Sequence, residues 1–262
     1  MEVRELDGPA QLRQACALLD AVWRTDAEHT VMPPDLLRAL TLAGSYAAGA
    51  YADGELLGVS VGVFGPPRRR ALHSHVTGVA ASARGRGVGR ALKLHQREWA
   101  LARGVDRVTW TFDPLVRRNA HVNLVRLGAT VAAYLPDLYG PLQDAFNAGT
   151  ESDRLLVEWE LASDHVLRAL AGALASSPRP DVTGLPVALA VGTADEPRIR
   201  PVTGTAALVE VPADIEALRS RDPVLAARWR TAVREVLGGL LGAGATVSGF
   251  ADGRYVVSQP CG

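Results

Sequence analysis

The residues of this chain best suited to chemistry run from Arg84 to Arg90, as Arg84-Gly85-Arg86-Gly87-Val88-Gly89-Arg90. A hydrophobic strand pattern precedes them and an amphipathic helix pattern follows. Glycines carry no Cβ and let a ligand approach the backbone closely. The first N–H groups of a helix have no intrahelical partner. Together with the helix dipole they form a site for a phosphate or pyrophosphate. Arg84, Arg86 and Arg90 add donors that match phosphate oxygens in pairs. The chemistry expected here is therefore the binding of a nucleotide-like cofactor with a pyrophosphate. Spacing narrows the choice. A P-loop needs G-x-x-x-x-G-K-[ST], which does not occur. A dinucleotide fingerprint would place its third glycine at Arg90, and its ribose-binding acid about 20 residues on; Asp113 comes later than that.

The elements that must position this turn can be read from periodicity. Residues 1–6 read as a strand, and Pro9–Trp23 as a helix with Leu12, Ala15, Cys16, Leu19 and Val22 at helical spacing. A second helix is expected over 33–42. Strands over 46–52 and 55–64 meet at Asp53-Gly54, a strong two-residue hairpin signal. The strand over 72–80 feeds the glycine turn. The helix after it, 87–103, places Val88, Ala91, Leu92, His95, Trp99 and Ala102 on one face and ends at Gly104. A strand over 107–112, a helix over 119–127 closed by Gly128, and strands over 130–134 and 155–161 complete the half. Beyond it, 176–183 reads as a linker. Strands are expected at 187–191 and 206–211, helices after Pro212 and over 223–241, and a hairpin at 246–258 around Asp252-Gly253.

The string Val79-Ala80-Ala81-Ser82-Ala83-Arg84-Gly85-Arg86-Gly87-Val88-Gly89-Arg90 resembles the acyl-CoA signature of the GNAT N-acetyltransferase superfamily, R-x-x-G-x-G after a strand ending V-x-P, with Ala81 in place of the proline. Further strings resemble a subgroup of predicted acetyltransferases with a long C-terminal extension: Leu92-Lys93 with Gln96-Arg97, Trp110 to Leu115, Arg118-Asn119-Ala120-His121, Asn123-Leu124, Tyr139-Gly140, Asn147-x-Gly149, Asp153-Arg154 and Glu158-Trp159. The resemblance implies an α+β chain with the GNAT acyl-CoA fold, a mixed central sheet whose parallel strands splay apart between flanking helices, and a smaller α/β C-terminal lobe. It implies domains over 1–161 and 162–262, the second packing on the first or on a second subunit as a homodimer. The implied activity is transfer of an acetyl or succinyl group from acetyl-CoA or another acyl-CoA to the amine of a small molecule, such as an amino acid, without a metal. The rivals are a non-catalytic acyl-CoA-binding module and a protein N-acetyltransferase.

Such chemistry needs a base for the amine proton, stabilisation of an oxyanion, and an acid for the departing thiolate. By strand alternation His73, His75 and Thr77 share one face, and His75 is the expected base. Asp113, at a strand end, would bind the acceptor ammonium, act as base, or cap the next turn. The family's tyrosine position falls on Leu124, which leaves Tyr134 and Tyr139 as the candidate acids. Cofactor contacts are expected from Val79, Arg84, Gly85, Arg86, Gly87, Val88, Gly89 and Arg90, and from Asn119 and Asn123, with helix capping as the alternative for Asn119. Asp153-Arg154 reads as an ion pair or a carboxylate clamp.

The composition fits this frame. The 262 residues are 48% hydrophobic and 21% charged with zero formal net charge, which argues against nucleic-acid or membrane attraction. Cys16 and Cys261 have no metal spacing and suit a reducing cytoplasm. Neither a leader pattern nor an apolar run of about 18 residues is read.

Overall fold

A computed structural model describes residues 1–23, 30–140, 151–172 and 182–258. The Asn147-x-Gly149 string, Cys261 and most of the 176–183 linker lie outside the described residues. The chain forms two compact units, one of Met1–Trp110 and one that begins at Thr111. Residues 111–140 thus pack with the C-terminal residues, so the compact units do not follow a boundary at 161.

In the first unit the strands are β1 (Glu2–Glu5), β2 (Tyr46–Ala52), β3 (Glu55–Phe64), β4 (Ala71–Val79) and the start of β5 (Arg107–Phe112), side by side in that order. Helices α1 (Pro9–Trp23) and α2 (Pro34–Leu42) precede β2, and α3 (Val88–Leu101) joins β4 to β5. β2 and β3 meet at Asp53 and Gly54, with φ of 50° and 82°, as the paired positive angles of a tight hairpin require. One core cluster sets α1 and α2 residues (Leu12, Leu19, Leu37) against Val59, Val61 and Val76 of the sheet. A second sets Val88 and Leu92 of α3 against Ala50 and Leu57. At Gly58 a Cβ would come within 2.8 Å of Val88, so this glycine lets α3 lie close on β3.

β4 and β5 run parallel, but their ladder contains only Ala71↔Arg107, Leu72↔Val108 and His73↔Thr109. Beyond that point β4 continues to Val79 without β5. A bulge lies just past the last pair. Val76 faces Val61 of β3 and Ser74 faces Gly62, which leaves His75 as the extra residue. The bulge reverses the alternation. Leu72 and Ser74 lie on the α3 side, where Ser74 accepts from Lys93, whereas Val76 joins the α1 cluster. Thr77 therefore falls on the α3 side, bonded to Ser60 at 2.9 Å. The single face expected for His73, His75 and Thr77 does not exist, because a one-residue bulge inverts every position after it.

The second unit contains α4 (Arg117–Ala120), which continues as a wider π turn over His121–Arg126. Then come β6 (Thr130–Leu135), β7 (Arg154–Glu160), α5 (Asp164–Leu170), β8 (Val187–Val191), β9 (Pro197–Ile199) and β10 (Ala206–Glu210). The chain continues with α6 (Ile215–Arg221), α7 (Pro223–Val233), a π turn at Arg234–Gly238, α8 (Gly239–Gly242), β11 (Thr246–Ala251) and β12 (Arg254–Ser258). β6 and β7 pair antiparallel, and five strands form the sheet β11-β12-β10-β8-β9. Asp214 and Asp222 cap α6 and α7 through their carboxylates, and Pro223 opens α7. Trp229, Val233 and Leu237 are fully buried, whereas Val224, in the first turn of the helix that carries Trp229 and Val233, is 73% exposed. No described helix is long and apolar enough to cross a membrane.

Candidate active site

The glycine turn is built as a cradle. β4 ends at Val79, Ala81–Ala83 forms a short 3-10 turn, and α3 starts at Val88. Gly85 and Gly87 have φ of 77° and 79°, a region that residues with a Cβ rarely adopt. Nothing lies within 4 Å of where a Cβ would stand on either, so the concave side of the turn is open. Gly87 is the N-cap of α3 and supplies no capping side chain; the first bond of the helix runs from the Ala91 N–H to the Gly87 carbonyl. The amides before Ala91 belong to the helix's first turn and face its N-terminal end. Arg84, Arg86 and Arg90 are exposed around them. These residues fit a pyrophosphate.

The edge of β4 leads to this cradle. Ala80 donates to the Leu57 carbonyl of β3 at 2.9 Å. Strand alternation then turns the N–H and C=O of Val79 away from β3, toward the side on which β5 has ceased to pair. His75 is exposed at the bulge, and the desolvation it retains lowers its imidazole pKa below 6.5. His73, bonded to Thr109 at 3.0 Å, is lowered by burial and then by His75 and Lys93.

Beneath the fork lies a cluster whose Lys93, Gln96 and Trp110 fall in the strings quoted above but had no role assigned to them. Lys93, 8% exposed, donates to Ser74 Oγ at 2.8 Å and Gln96 Oε1 at 3.2 Å, and its Nζ stands 4.0 Å from the Trp110 ring centre. Burial lowers its pKa to about 7. The α3 face is built from Val88, Leu92, Lys93, Gln96, Trp99 and Ala100; Ala102, placed on it by the sequence, is exposed. The available signal was the spacing of 92, 96 and 99, which carries 93 on the same stripe.

In the second unit Asp113 has a structural role. It accepts both Nη atoms of Arg230, at 2.9 and 2.7 Å, Arg219 Nη2 at 2.5 Å and the Leu115 N–H at 2.9 Å. Burial pushes its pKa up, but Arg230 and Arg219 outweigh this and hold it well below the usual carboxylate range. Such a carboxylate does not take a proton at neutral pH, and its oxygens are spoken for; of the expected roles, only the turn cap matches. Asp153 and Arg154 do not pair with each other. Asp153 accepts from Arg234 and from the Tyr134 hydroxyl, the latter at 2.6 Å. Burial and Asp153 push the Tyr134 pKa far up, and its hydroxyl proton is already given to Asp153. Arg154 donates to the Asp153 carbonyl and lies 5.7 Å from the Tyr139 ring. Tyr139 is 45% exposed, its hydroxyl 3.1 Å from Thr111 Oγ1. Asn119 sits inside α4, whose N-cap is Val116, so it does not cap the helix. Asn123 is buried, and its carbonyl accepts from Ala129.

A parallel strand pair that opens beside an unobstructed glycine turn at a helix N-terminus is the arrangement that the acyl-CoA signature in the sequence calls for. The family model described as Acetyltransferase (GNAT) family matches residues 12–128, and over those residues the chain is similar to that family. No curated protein matches. Solved structures that resemble it include an N-acetyltransferase from Staphylococcus aureus Mu50, at 16% identity and TM-score 0.51, covering 61% of this chain and 98% of that one. A ribosomal-protein-alanine N-acetyltransferase from Brucella melitensis matches at 21% identity and TM-score 0.50, covering 60% and 98%. YncA from Salmonella typhimurium, solved with its cofactor acetyl-CoA, matches at 17% and TM-score 0.51, covering 62% and 94%. At these identities the likeness is one of fold.

Proposed function

We propose that the protein transfers an acyl group from acyl-CoA to the amine of a small molecule. The observation that carries this is the continuity of the fork and the cradle. The free edge of β4 at Val79 runs directly into open glycines at the start of α3. In this reading the amides of residues 86–90 hold the pyrophosphate, and Arg84, Arg86 and Arg90 add charge. The backbone of Val79 pairs with the pantetheine arm as a neighbouring strand would. The bound thioester supplies an activated acyl carbon. His75 accepts the amine proton: it is exposed, lies two residues past the last β4–β5 pair, His73↔Thr109, and its desolvation favours the neutral, proton-accepting imidazole. Tyr139 is the candidate acid, since it is exposed and Tyr134 is committed to Asp153. The Asn119 and Asn123 side chains remain candidate contacts to the CoA arm or to a water.

The test is release of free CoA thiol from acetyl-CoA and succinyl-CoA with a panel of small amines, amino acids and an amine-bearing peptide. Amine-dependent release with a small molecule supports the reading. Release with the peptide alone would move the acceptor to proteins. CoA binding without any release would leave an acyl-CoA-binding module.

A further inference from the structure

We propose that Lys93 receives a carboxylate at the far end of the acyl group, so that the preferred donor is the CoA thioester of a dicarboxylic acid, of the succinyl class. This rests on the acyl-CoA reading above and adds the chemistry of the acyl group.

Lys93 is the chain's only lysine, and a lysine on a two-faced helix normally carries its ammonium to water. Here it is buried on the stripe that faces the sheet. All of its partners are neutral: a serine hydroxyl, an amide oxygen and an indole face. Among the described residues no carboxylate lies within ion-pair distance of it. A buried cation without an anion is costly, and neutral dipoles offset only part of the cost. A second donor of the cluster, Gln96 Nε2, is buried without an acceptor, while Gln96 itself is fully buried. Nζ, Nε2 and the Ser74 hydroxyl form a donor-rich set that a carboxylate would complete.

The place fits an acyl terminus. Ser74 and Trp110 are the first residues of β4 and β5 beyond their last pair, His73↔Thr109, and both face α3. Lys93 Nζ contacts both, so it stands at the crotch of the fork. Val79 lies five residues along β4 from Ser74, about 16 Å at strand rise. A ligand anchored at the 86–90 turn and extended along the free edge of β4 therefore directs its far end toward Lys93. An acetyl group would leave this cation unpaired; a terminal carboxylate would not.

Isothermal calorimetry on the full chain at pH 8 tests this with CoA, acetyl-CoA and succinyl-CoA, each in two buffers of different ionisation enthalpy. Succinyl-CoA is expected to bind about ten- to a hundredfold more tightly than acetyl-CoA, the scale of a charged hydrogen bond. It alone should take up protons, because Lys93, lowered to about 7, is largely neutral at that pH until an anion arrives. Lys93→Met should abolish both differences and keep CoA binding. Equal affinities in the wild type, or a preference that survives Lys93→Met, would overturn the proposal. Should the variant fail to fold, the wild-type comparison decides alone. Absence of binding by CoA and both thioesters would instead overturn the acyl-CoA reading beneath it.

Discussion

Replacing Lys93 by methionine should change the protein's stability by an amount that depends on pH, most favourably at pH 7 and below. In the unfolded chain the lysine holds its proton up to 10.5; in the folded protein burial lowers this to about 7. Between these values the unfolded state binds more protons, so wild-type stability rises with pH across this window and the penalty is complete below pH 7. From 10.5 to about 7, at about 1.4 kcal/mol per pH unit, the penalty is up to about 5 kcal/mol. Methionine fills nearly the same volume without the charge. It strands Ser74 Oγ and Gln96 Oε1, at about 1–3 kcal/mol each, but that cost does not vary with pH. Urea unfolding of both proteins at pH 7 and pH 10 separates the two contributions. The stability of the variant relative to wild type should fall by several kcal/mol between pH 7 and pH 10. Stability curves that run parallel across this range would refute the picture of a buried, unpaired ammonium.

Three other outcomes are expected. His75→Ala should lower kcat about 10²–10⁴-fold with little change in CoA affinity, and should remove the acidic limb of the pH–rate profile, which in the wild type lies below 6.5; a variant that keeps both limb and turnover would move the base elsewhere. Asp113→Asn should destabilise by about 3–5 kcal/mol, since Arg230 and Arg219 lose a buried partner, and should leave the pH–rate profile of the folded fraction unchanged; a shifted limb would restore a proton-transfer role to Asp113. Deleting residues from 162 onward should cause aggregation, because Arg219, Arg230 and Arg234 leave Asp113 and Asp153 buried without cations and Tyr255 no longer bonds Pro114; a soluble, active truncation by gel filtration and thiol release would show the lobe to be dispensable.

The elements of the first unit were legible because each carries its own local signal. The paired positive φ of Asp53-Gly54, the stripe of α1 and the glycines of the turn follow from nearest neighbours in sequence. What escaped depends on partners far along the chain. The bulge at His75 exists only in the register between β3 and β4, and no local pattern distinguishes it from plain alternation. Asp113 looked like a base or an ammonium-binding group because its arginines, Arg219 and Arg230, come more than a hundred residues later. The same holds for Asp153, whose apparent neighbour Arg154 is not its ion-pair partner, while Arg234 is. The helix over 119–127 was seen, but its opening into a π turn was not. α5 and β9 were too short to register, at seven and three residues.

The most direct test of acyl-CoA binding at the glycine turn is the calorimetric affinity for CoA of the wild type and of folded Gly87→Val. Gly87 has φ of 79° and open space where a Cβ would stand, so valine meets no protein atom there. It strains the turn by about 1–3 kcal/mol, and its branched side chain projects into the cradle that the pyrophosphate would occupy. CoA should bind the wild type and bind this variant far more weakly. An unchanged affinity, in a protein whose circular dichroism shows the same fold, would contradict the account.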